Sequence, residues 1–114
     1  MLKEGDKVLV AHRRLFRGDA AHYFAGRVVA YDAGLVKVVG HSYIRDPVTG
    51  GMIEKSEART KVLALASGTL MVYQLPDATA LESLVFTWAD GRVTATDGKG
   101  FEMNLGEVAR RQRV

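Results

Sequence analysis

Apolar residues along this chain come in short runs, and within the runs they tend to alternate with polar ones. A period of two sends successive side chains to opposite faces of a pleated strand, so the pattern predicts β-structure from end to end. Residues 7–11 (Lys-Val-Leu-Val-Ala) read as a first strand, and residues 24–31 and 35–45 read as a pair joined across Asp32-Ala33-Gly34. That connection fits a three-residue hairpin loop with Gly34 in the left-handed conformation that side chains disfavour. On the first strand of the pair, alternation places Phe24, Gly26, Val28 and Ala30 on one face, with Arg27 and Tyr31 on the other.

The remaining segments follow the same grammar. Residues 13–20 have no period and read as a loop, and Asp46-Pro47-Val48-Thr49-Gly50-Gly51 reads as a turn. Residues 52–54 make a short strand. Residues 59–66 and 69–75 are expected to form a tight hairpin across Ser67-Gly68, ended by Pro76, which has no N–H for a ladder. Residues 77–83 are open between coil and a helical turn capped by Asp77. The β-branched and aromatic run 85–88 then restores the strand pattern, continued by 92–96 and 101–105 across Asp90-Gly91 and Asp97-Gly98-Lys99-Gly100. Asn104 as cap, Glu107 at the third helical position and a Met103–Val108 staple predict a short C-terminal helix.

Together these elements predict a single all-β domain over residues 1–114, a small partly open β-barrel with an added C-terminal hairpin and a short terminal helix. The length suits one core without covalent staples. Phe24-x-Gly26-x-Val28-x-x-Tyr31-Asp32 followed by Leu35-Val36-x-Val38 resembles the first motif of Sm-like proteins, and Ser67-Gly68-Thr69-Leu70-Met71-Val72-Tyr73 faintly resembles the second. The resemblance covers residues 24–75 at most and is shared with SH3-like barrels. It implies the barrel. Sm-like proteins place an Asn just after the turn to hold a base, where this chain has Leu35-Val36-Lys37, and their Arg-Gly is Ser67-Gly68 here. RNA binding by that route is therefore not implied.

Charge changes the picture by its distribution more than by its net value of +3. Residues 1–76 hold eleven Lys/Arg against seven Asp/Glu, residues 77–107 hold two against six, and the last seven residues add Arg110, Arg111 and Arg113. Such alternation fits a basic patch for an anionic partner, and equally a tail folding back on an acidic face. Cysteine is absent, which excludes disulfides, thiolate metal sites and a cysteine nucleophile, and makes a reducing cytoplasm the expected location. The polar start lacks the apolar core of a secretory signal, and Val62-Leu63-Ala64-Leu65-Ala66 is too short to span a membrane.

Chemistry-bearing constellations are sparse. His12, His22 and His41 lack the spacing that puts metal ligands on one element, so no metal or cofactor is expected. Asp97-Gly98-Lys99-Gly100 lacks the spacer and hydroxyl of a phosphate-binding loop, and Ile44 stands where Gly40-His41-Ser42-Tyr43 would need a second glycine to make a nucleophile elbow. No carboxylate pair converges, so no catalytic residue is proposed and the chain reads as a non-enzyme, with a small-molecule ligand not expected. Binding is the remaining class. Arg13, Arg14, Phe16 and Arg17, with Tyr23 and the distant Arg110 and Arg111, pair cations with rings that could contact phosphates and stack on bases. Tyr31 and Tyr43 on neighbouring strands could share a face as interface anchors. The leading expectation is an interaction module for protein partners or for itself, through free strand edges such as 52–54 or 69–75; the alternative is a nucleic-acid-binding domain using the basic loop.

Overall fold

A computed structural model describes residues 1–13 and 20–105. Among the described residues nine strands build two antiparallel sheets. The larger holds β1 (Lys7–His12), β2 (His22–Asp32), β3 (Leu35–Arg45), β4 (Met52–Glu54), β5 (Arg59–Ala64) and β6 (Leu70–Leu75). The smaller holds β7 (Val85–Ala89), β8 (Arg92–Thr96) and β9 (Glu102–Asn104). Helical structure among these residues is limited to 3-10 turns at Leu65–Ser67 and Leu81–Ser83. The expected C-terminal helix falls on residues 106–114, outside the described residues.

In pairing order β5, β3, β2, β1 and β6 run side by side, with β4 beside the far end of β3. In a flat sheet β5 and β6 would lie ~19 Å apart. Only residues 65–69 join them, three in a 3-10 turn, and such a link reaches that far only if the sheet curls. The expected hairpin between 59–66 and 69–75 is therefore corrected. Leu65 N–H donates to Gly34 O (2.9 Å), holding the chain at the tip of the β2–β3 hairpin before it crosses to the opposite edge. β5 and β6 do not pair with each other, so the sheet is curled but not a closed barrel.

Curling gives the sheet an inner and an outer face, and both are buried along β1. Val8 and Val10 point inward to join Phe24, Val28, Val36, Val38 and Leu63. Leu9 points outward, with Tyr23, Ala25, Tyr43 and Leu75, against Leu84, Phe86, Val93, Ala95 and Leu105 of the second sheet and its flanks. Two-sided burial is why residues 7–11 read as a nearly continuous apolar run.

Two backbone devices shape β2 and β3. Gly26 and Gly40 face each other across the ladder, so close that a Cβ on Gly26 would strike the Val39 carbonyl and one on Gly40 the Ala25 carbonyl. Further along, the register slips between Val28 and Ala30. This bulge corrects the simple alternation: Ala30 turns to the outer face opposite Lys37, and Tyr31 turns inward opposite Val36. The hairpin turn is also shorter than expected. Ala33 (φ 49°) and Gly34 (φ 84°) alone form it, both left-handed, as a two-residue turn matched to strand twist requires.

The second sheet is tied down by polar contacts. The Asp97 carboxylate is buried and accepts backbone N–H groups of Ala80 (2.9 Å), Lys99 (2.7 Å) and Phe101 (3.0 Å). These bonds hold its pKa below the usual carboxylate value. Lys7 Nζ donates to the Asp77 carbonyl (2.6 Å), fixing the segment that leaves the first sheet.

Candidate interaction surfaces

Of the residues expected to make contacts, the described ones form no single exposed surface. Arg14, Phe16, Arg17, Arg110 and Arg111 lie outside the described residues. Arg13 is exposed, and its guanidinium donates to the Gly68 carbonyl (2.9 Å), pinning the start of the basic loop to the turn before β6. Tyr23 and Tyr43 are buried, their rings stacked on Phe86 with centroids 5.4 and 4.3 Å away. Both are core residues that join the two sheets. Burial, then the Glu54 carboxylate 3.4 Å from its hydroxyl, pushes the Tyr43 pKa up. Tyr31 sits on the inner face, so the expected pairing of Tyr31 with Tyr43 on one surface is corrected: the bulge puts them on opposite sides of the sheet.

The histidines take two arrangements. His41 Nδ1 lies 3.9 Å from Glu54 Oε2 at the surface. His12 and His22, opposite each other on β1 and β2, stack with centroids 4.2 Å apart and planes 15° from parallel. Their Nε2 atoms are buried and have no hydrogen-bond partner among the described residues. Burial first, and the Lys61 ammonium besides, lowers both pKa values; in His22, where the charge of His12 adds to the effect, the value falls to about 4. Parallel rings do not aim their lone pairs at a common point. Among the described residues no group of three or more His, Cys, Asp or Glu side chains is placed to hold a metal ion.

The clearest surface was not singled out from the sequence. The outer face of β2–β3 continues past the glycine pair onto β5, and there the second sheet no longer covers it. Val62 (61% exposed), Leu35 (49%), Val39 (40%) and Val29 (39%) stand on it, with Ala30, Ala64 and Lys37 among them and Arg27 beside them. The pairings Lys37↔Val62, Leu35↔Ala64 and Arg27↔Val39 put these residues on one face. A signal existed. Val28-Val29, Leu35-Val36, Val38-Val39 and Val62-Leu63 are adjacent apolar pairs, which place an apolar residue on each face of their strand.

A second surface runs along the seam the sheet fails to close. A groove of about 400 Å³ lies there, lined by Leu2, Tyr31, Leu65, Leu70, Val72 and Gln74, with Met1 at its edge. Beside the second sheet, Arg45 stacks its guanidinium 3.8 Å from the Trp88 ring centre while its Nε donates to the Gly50 carbonyl. That contact closes a corner of the fold. Among the described residues no helix is long and apolar enough to cross a membrane. No family model, curated protein or solved structure matches the chain.

Proposed function

We propose that this chain is a non-enzymatic interaction module, cytoplasmic, whose first six strands act as a partly open small β-barrel of the SH3- or Sm-like kind. It binds a protein partner, or another copy of itself, through the bare outer face of β2, β3 and β5. The supporting observation is the set Val29, Leu35, Val39 and Val62, apolar and solvent-facing around Lys37 on a sheet whose other outer half is covered. Contiguous exposed apolar surface of this kind marks association sites, whereas single exposed apolar residues do not. Lys37 in the middle of this face and Arg27 at its edge select the partner. Two such faces meeting across a two-fold axis would bring like charges together, so an apolar surface bearing carboxylates fits better. The second sheet and its approach, with Asp77, Glu82, Asp90 and Glu102, carry that sign within the chain itself.

The test compares the native chain with a double variant, Leu35→Lys and Val62→Lys. Sedimentation velocity gives the mass in solution, and affinity recovery from native lysate gives the partner. Native chain is expected to associate, and the double variant to weaken that association at least tenfold while keeping its fold, since both sites are exposed. A native chain that stays monomeric at high concentration, with the same recovery from both proteins, overturns the proposal. Strong absorbance at 260 nm that disappears with Arg13→Glu would overturn it in favour of nucleic acid.

A further inference from the structure

We infer that the open seam beside β6 is a strand-addition site, taking an extended peptide segment of a partner protein that is uncharged and apolar at alternate positions. Three observations meet there. Among the described residues β6 pairs only with β1, in a register running from Lys7↔Leu75 to His12↔Leu70 and extended by Arg13 N–H to Thr69 O (2.8 Å). Antiparallel alternation then turns the backbone groups of Leu70, Val72 and Gln74 away from β1, where they have no backbone partner among the described residues. The side chains of these same three residues line the groove.

The third observation is the missing protection. Natural sheets guard their edges with charge, proline or shortness. β4 is three residues long, and β5 carries Arg59 and an inward Lys61 whose ammonium lies 4.5 Å from the Phe24 ring centre. β6, Leu-Met-Val-Tyr-Gln-Leu, has six residues with neither charge nor proline. An unpaired row of N–H and C=O groups at strand spacing is complementary to another backbone, not to a lipid or a small apolar ligand. Residues on both sides of the seam, Leu65 on one and Leu70 and Val72 on the other, line the groove, and the short 65–69 link closes one end. That admits a single strand more readily than the edge of a second folded copy. The site shares with the outer-face proposal only the premise that the chain binds protein, and none of its residues.

The experiment selects random twelve-residue peptides against the full chain and maps the bound complex by amide hydrogen exchange. Selected peptides are expected to be apolar at alternate positions and free of proline. They should slow exchange at Leu70, Val72 and Gln74, and bind equally to the Leu35→Lys, Val62→Lys variant. N-methylation scanned along the peptide gives the decisive readout. Blocking amides of one parity should weaken binding at least tenfold, and blocking the other parity should change it less than threefold. Val72→Pro, which removes an outward N–H and no bond to β1, should weaken binding similarly. The peptide scan stands even if that variant fails to fold. The inference is overturned if no peptide is selected, if N-methyl effects lack parity, if protection maps to Leu35 and Val62, or if the same amides are protected without peptide in a chain of doubled mass.

Discussion

Along the β2–β3 hairpin, the half bearing Tyr23, Ala25 and Tyr43 and the half bearing Val29, Leu35 and Val39 present the same outer face of the same two strands. The first is at most 9% exposed at these residues, and the second is 39–49% exposed. Apolarity does not separate them. Between them lies the Gly26–Gly40 pair, where the strands come too close for a side chain. The second sheet packs on one side of that pair and leaves the other side bare. The covered half supplies rings that stack on Phe86; the bare half supplies branched aliphatics beside Arg27 and Lys37. One half is core, and the other is an exposed surface of core-like side chains.

The largest expected effect comes from making the covered half resemble the bare one. Phe86→Ala removes the ring that stacks on both Tyr23 and Tyr43, and is expected to cost about 3–5 kcal/mol in urea unfolding followed by circular dichroism. Trp88, on the same strand, should shift its emission to the red as the cover loosens. A loss below ~1 kcal/mol would mean that the cover does not hold the outer face by packing, and the contrast between the halves would fail.

Part of this contrast was legible in the residues. The run at residues 7–11, the Asp90-Gly91 reversal and the β-character of 85–88 follow from local pattern and appear as expected, and the reversal after Asp32 falls where expected but is one residue shorter. Two misreadings have one cause, which is that local spacing does not encode partner choice. Ser67-Gly68 sits between apolar runs as a hairpin turn would, yet the pairing of β5 with β3 and of β6 with β1 is set by the curl of the sheet. The bulge at Val29 leaves no mark in composition, and it moved Tyr31 from the outer face to the inner. The residues leave the aromatics open between core and surface anchor, because nothing local foretells a second sheet lying over Tyr23 and Tyr43. Of the candidate surfaces, the edge at 69–75 is one that the sequence foretells, since a partly open barrel leaves strand edges such as 52–54 or 69–75.

Acid should sharpen the comparison by weakening the curled sheet and its cover in different ranges. His12 and His22 belong to the inner side of the curled sheet, and Asp97 belongs to the cover. The histidine pKa values are lowered on folding, so the unfolded chain binds protons first as pH falls; their contribution is present above ~6.5 and is lost towards the folded value, about 4 in His22. The Asp97 pKa is lowered too, so its contribution is present above the ordinary carboxylate value of 3.8 and is lost below it. Melting temperature is therefore expected to fall by a few degrees between pH 7 and pH 4, and Trp88 emission to report loosening of the cover only below that range. His22→Phe keeps the stacked ring, gives up no hydrogen bond at Nε2 and should flatten the first phase alone. An unchanged slope between pH 7 and pH 4 in that variant would remove the histidine pair from the account.

The smallest expected effect lies at the tip of the bare half. Ala33 holds φ at 49°, a left-handed conformation that costs an alanine about 1 kcal/mol, whereas asparagine tolerates it and favours the Asn-Gly two-residue turn. Ala33→Asn is expected to stabilise the chain by about 0.5 kcal/mol, read as a higher urea midpoint at unchanged slope. The turn lies ten residues along β2 from Tyr23, a strand length of ~30 Å, and shares no partner with Phe86. Independent sites add, so the same gain should appear in the Phe86→Ala background to within ~0.5 kcal/mol. A gain that vanishes there would mean that the cover sets the conformation of the whole hairpin past the glycine pair, and that the two halves are one cooperative surface.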